Sequence, residues 1–162
     1  MSDVHKSERK ESKMRYLDLA VQLYEHTAQY TRKQFSRKDW DYVVRLRDKA
    51  DLILMKVCEA NSIFPTTRED FDTRRKLLIE ARGVCYALVS VLSSMQRLSK
   101  QITPDSEQDK DSYKYTKKVN KPNILVNSVT DYGWDHWGDL CADEIAAIDG
   151  ILRSDKERSE KL

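Results

Sequence analysis

The sequence predicts an all-α protein: an up-down-up-down four-helix bundle with a long insertion between its third and fourth helices. Three observations carry this reading. Apolar residues recur at steps of three and four along four separate stretches. Only four glycines and three prolines occur, too few for the many tight turns of a sandwich or barrel. Charged residues reach 35% against 40% apolar, and helices with solvated outer faces are the usual carriers of so much charge. At 162 residues the chain is long enough to bury a core without staples.

Residues 1–12 are polar and read as a flexible tail, with the bundle spanning 13–158 and a short polar tail at 159–162. The helical pattern becomes clear from Met14. Leu17, Val21, Tyr24 and Ala28 form one stripe, and Leu19, Leu23, His26 and Tyr30 a second, offset by about 100° or more. This helix ends near Gln34. The second helix, about Lys38 to Ser62, carries Val43, Leu46, Ala50, Ile53, Val57 and Ala60 on one face. Pro65 breaks it. Thr67-Arg68-Glu69-Asp70 then has the spacing of a capping box, with Thr66 or Thr67 as N-cap.

The third helix, about Arg68 to Lys100, alternates threes and fours through Phe71, Arg74, Leu78, Ala81, Cys85, Leu88, Leu92 and Met95. Such a seam suits shallow-angle bundle packing. Residues 101–128 lose the periodicity and form the insertion, acidic at first and then basic. The fourth helix starts at Thr130 or Asp131. It aligns Trp134, Trp137, Cys141, Glu144, Ile148 and Ile151, and ends near Asp155.

Several function classes are disfavoured. Cys58, Cys85 and Cys141 are odd in number and widely spaced, against a disulfide framework or a zinc site. They read as small buried hydrophobes in a reducing compartment. Neither a leader-type apolar region nor a membrane-length apolar run is visible, so a soluble cytoplasmic protein is expected. His5, His26 and His136 form no ligand motif, and no phosphate loop or nucleophile motif occurs. The expectation is a protein without catalytic residues, metal or cofactor, whose function resides in what its surface binds.

The net charge of +2 does not by itself point to nucleic acid. The basic residues are clustered, however, around the first link, on the third helix and in the insertion. Arg37, Lys38, Arg45, Arg74, Arg75, Arg82, Lys117 and Lys118 are the candidates for phosphate contacts. Trp134 and Trp137, three apart, share a helix face and read either as core anchors or as a contact surface. With Leu19, Leu23 and Tyr30 of the second stripe they form the candidate partner interface.

Four stretches, LAVQLYEHTAQYT (19–31), LRDKADLILMKVCEANSIFPTTRED (46–70), FDTRRKLLIEARGVCYALVSVLSSM (71–95) and the last helix from Trp137 to Ser154-Asp155-Lys156-Glu157-Arg158, together carry a resemblance. The chain from Met14 to Arg158, insertion excluded, resembles the four-helix bundle family of 23S ribosomal RNA intervening-sequence proteins and of the accessory variability determinant proteins of diversity-generating retroelements. Order and spacing are more similar to the accessory branch. That resemblance implies a homopentamer with a basic surface. It also implies binding to a reverse transcriptase and its template-repeat RNA in support of mutagenic cDNA synthesis. The alternative is a structural scaffold that binds only protein partners.

Overall fold

The computed structural model describes residues 6–35, 37–102 and 131–162. Among these residues there are four α-helices and no strand. Helix α1 spans Lys6–Gln34, α2 Trp40–Ser62, α3 Arg68–Ile102 and α4 Asp131–Ser159, with a 3-10 turn at Arg37–Asp39 before α2. Helix α1 packs against α2 and α4, and α3 packs against α2 and α4. The pairs α1–α3 and α2–α4 face each other across the core. The all-α bundle class therefore stands. Beyond Ile102, the expected insertion lies outside the described residues.

The periodic stripes of α2 and α3 fall where the sequence places them. Val43, Leu46, Ala50, Ile53, Val57 and Ala60 are all buried, as are Phe71, Leu78, Ala81, Cys85, Leu88, Leu92 and Met95. A stripe stepping by three and four stays on one side of a 3.6-residue helix, and burying it is the main gain of folding. Helix α4 contributes Trp134, Trp137, Leu140, Cys141, Glu144, Ile148 and Asp155, while Ile151 is only partly buried. By length and composition, Arg68–Arg97 is apolar enough to cross a membrane, which corrects the expectation that no such stretch exists. In the bundle its apolar stripe is buried against α2 and α4 instead.

Helix α1 departs most from expectation. It begins at Lys6, inside the stretch read as a tail, because Lys, Glu and Arg sustain a helix well. Its core face is not the first stripe: Val21 and Tyr24 are exposed, whereas Tyr16, Leu19, Ala20, Leu23, Thr27 and Thr31 are buried. Two threonines sit in the core because each hydroxyl donates to a carbonyl one turn back, Thr27 to Leu23 and Thr31 to Thr27, both at 2.7 Å. Arg47 Nε of α2 then donates to Thr31 Oγ1 at 2.9 Å, locking the two helices. The phenol of Tyr16 donates to Asn61 Oδ1 at 2.8 Å.

The capping box forms. Asp70 N–H donates to Thr67 Oγ1 at 3.2 Å, and Thr67 N–H donates back to Asp70 Oδ2 at 2.9 Å. The backbone N–H of Thr67, then that of Thr66, with help from the two threonine hydroxyls, pull the Asp70 carboxyl down to about 2. Cys58 is exposed, which corrects its reading as a buried hydrophobe. Cys85 and Cys141 are buried.

Candidate nucleic-acid interface

The arginines of α3 part company at the first pair. Residues 74 and 75 stand about 100° apart on the helix, so one faces inward and the other outward. Arg74 is drawn into the bundle: Nε meets Asp155 Oδ2 of α4 at 2.9 Å as an ion pair, and Nη1 donates to the Ile63 carbonyl at 3.3 Å. It closes the end of α2 and offers nothing to a phosphate, so it leaves the candidate site. Arg158 stands 3.6 Å from the second oxygen of Asp155 and stacks over the Phe71 ring. Burial pushes the Asp155 carboxyl up, and the two arginines oppose that shift.

Arg75 and Arg82 lie on the outer flank of α3, beside α4. There they line a groove of about 520 Å³ with Ile79, Asp149, Leu152, Arg153 and Lys156. Four of these seven side chains are cationic and one is anionic. Arg82 ion-pairs with Asp149 across the groove. Arg153 and Lys156 were not among the sequence candidates. Nothing in the linear chain ties them to Arg75, although Asp149, Arg153 and Lys156 do step by four and three along one flank of α4.

The other candidates among the described residues are not gathered in that groove. Arg37 and Arg45 are exposed, on the 3-10 turn and α2. Lys117, Lys118 and the side chain of Lys38 lie outside the described residues. A larger groove between α1 and α2 holds Arg32, Lys33 and Arg47 together with Asp48 and Asp51. Its charges nearly cancel, and Arg47 is tied to α1, so it is a poorer anion site.

The candidate partner interface is corrected. Leu19, Leu23, Trp134 and Trp137 are buried within the bundle and present no surface to a partner. Tyr30 is half-buried among them. The two tryptophan rings stack with centroids 6.0 Å apart, and Tyr30 meets Trp137 edge-on at 5.4 Å. The Tyr30 hydroxyl lies against Gly133, where a Cβ would come within 2.3 Å of it. Glycine is the only residue that leaves room for the ring. His26 joins this end of the bundle, its ring 4.9 Å from that of His136. Burial, then His136, lowers its affinity for a proton, while a hydrogen bond to the Gly133 backbone opposes them. Large apolar side chains that remain exposed lie elsewhere, among them Val21, Tyr24, Trp40, Leu52, Met55, Phe64, Ile79 and Tyr86.

A carboxylic acid lies in the core among the apolar side chains. Glu144 is 0% exposed, neither carboxyl oxygen has a hydrogen-bond partner, and burial pushes the carboxyl up to about 8. Among the described residues no group of three or more His, Cys, Asp or Glu side chains is placed to hold a metal ion. No protein-family model, curated protein or solved structure matches this chain.

Proposed function

We propose that this protein is a non-enzymatic RNA-binding bundle, the accessory subunit of a diversity-generating retroelement reverse transcriptase. It would bind that polymerase and its template RNA in the cytoplasm. The observation that carries the proposal is the convergence of Arg75, Arg82, Arg153 and Lys156 on one outer groove. Clustered cations on a rigid helical surface suit a phosphate backbone, which is neutralised with release of counterions. The accessory role comes from the sequence resemblance, and Arg75 and Arg82 belong to the stretch that carries it.

The reading includes an up-down-up-down course. Three contacts support it: Tyr16 with Asn61, Lys56 with Glu80, and Arg74 with Asp155 each join the early part of one helix to the later part of its neighbour. It also includes assembly as a homopentamer. The exposed apolar side chains of α1 and α2 (Val21, Tyr24, Leu52 and Met55) favour burial against further protein.

The test is RNA binding measured across a salt series, with the mass of the protein followed by light scattering. Four phosphate contacts give a slope of log affinity against log salt near about −3 for a single strand. Arg75→Glu with Arg82→Glu should flatten that slope and weaken all RNA sequences alike. RNA affinity insensitive to salt and to this double change would refute the proposal. A monomeric mass at both salt concentrations would remove the pentamer.

A further inference from the structure

We propose that the α3–α4 groove takes a single strand rather than a duplex, and that Tyr86 is the platform on which one base stacks. This inference rests on the groove being a nucleic-acid site.

Arg75, Ile79, Arg82 and Tyr86 follow one another at steps of four, three and four, so they form one row along the outer flank of α3. Three of the four are side chains that single-strand binders use: two cations for phosphate and one aromatic for a base. Tyr86 is 56% exposed and Ile79 41% exposed, with no core packing that explains either. The Arg82–Asp149 and Arg74–Asp155 contacts fix how the two helices are aligned. Following that alignment one turn beyond Asp149 brings Ala146 to the level of Tyr86, with Ala142 one turn further on. Both alanines are exposed and short. Tyr86, more than half exposed, therefore has only short side chains at its level on α4, which leaves room for a planar partner.

Charge limits the path of the strand. Past Tyr86 the same flank becomes a second groove, lined by Val89, Leu92, Ser93 and Gln96 with Trp134, Asp135, Gly138 and Asp139. Its charged lining is acidic and repels phosphate. The favourable stretch thus runs from Arg75 to Tyr86, about 16 Å at about 1.5 Å per residue. At the ~3.4 Å spacing of stacked bases that accommodates about five nucleotides. A duplex would hold its bases inside its own stack and leave Tyr86 with nothing to receive. A single strand offers a free base face next to each phosphate, which is the combination the row presents.

The experiment is fluorescence anisotropy of the full chain with a short labelled oligoadenylate, and with an RNA duplex of the same length. Three variants are compared: Tyr86→Ala, Tyr86→Phe, and Arg75→Ala with Arg82→Ala. Tyr86 and Arg75 are exposed and alanine sustains a helix, and circular dichroism with thermal unfolding checks that each variant folds, the arginine pair above all because it also removes the Arg82–Asp149 ion pair. The expected result is single-strand affinity lowered about fivefold or more by Tyr86→Ala, unchanged by Tyr86→Phe, with duplex affinity indifferent to both. Equal single-strand affinities of the wild type and Tyr86→Ala would overturn the stacking role, as would an equal loss for strand and duplex. If the arginine pair matters while Tyr86 does not, the groove stands and only this inference fails. If the arginine pair does not matter either, the groove reading fails, and this inference with it.

Discussion

Replacing Glu144 by glutamine should make the protein more stable as the pH rises, by an amount that the position of the carboxyl sets. The side chain is fully enclosed, and neither oxygen has a hydrogen-bond partner. Burial is the one cause of its upward shift, from the ordinary 4.5 to about 8. In the folded protein the group therefore keeps its proton over this interval, whereas in the unfolded chain it loses it. The unfolded state binds fewer protons there, so stability falls as pH rises. Below about 4.5 the group has no such effect, and above about 8 the full penalty is present. Each pH unit between these limits is worth about 1.4 kcal/mol, and the interval amounts to about 5 kcal/mol as an order of magnitude. Glutamine has nearly the same shape and cannot ionise. Urea unfolding of both proteins from pH 4.5 to 9 isolates the effect, because every other titrating group cancels in the difference. The two should be similar at the acid end and diverge steadily towards pH 8, with glutamine the more stable. Parallel profiles would show that Glu144 is ionised and compensated in the folded protein, and would refute the argument.

Three further outcomes follow from the geometry. Arg74→Met should cost about 3 kcal/mol in unfolding experiments, since it leaves the enclosed Asp155 carboxylate short of a partner, yet leave the salt dependence of RNA binding unchanged. Gly133→Ala should cost about 1–3 kcal/mol by forcing the Tyr30 ring aside, and adding Tyr30→Leu should recover part of the loss, a non-additivity that a double-mutant cycle measures. Native thiol titration should find one fast cysteine, Cys58. Cys85 and Cys141 are enclosed and their thiols are pushed up by burial and by Glu144, so they should react only on unfolding.

The four helices of the described residues and the core faces of α2, α3 and α4 are readable from the chain because each stripe is strongly apolar and regular. Helix α1 is not, because its buried face is made of Tyr16, Ala20, Thr27 and Thr31 as well as Leu19 and Leu23. Polar threonines disguise a core face, and only their bonds to the preceding turn make it tolerable. The same difficulty turned Leu19, Leu23, Trp134 and Trp137 into interface candidates: an amphipathic pattern does not say whether the covered face meets its own bundle or another chain.

By itself the sequence determined that this protein is built of helices, where α2 and α3 begin and end, and that Thr67 and Asp70 cap α3. These are local matters of periodicity and of hydrogen bonds across three residues. Only the tertiary structure decided which of two adjacent arginines is structural and which is presented to solvent. It also brought Arg153 and Lys156 to Arg75 and Arg82. The physical reason is that a helix fixes its side chains only relative to its own axis. Which flank meets which neighbour depends on how all the helices rotate to bury their apolar faces together, and that sum is not written in any one segment.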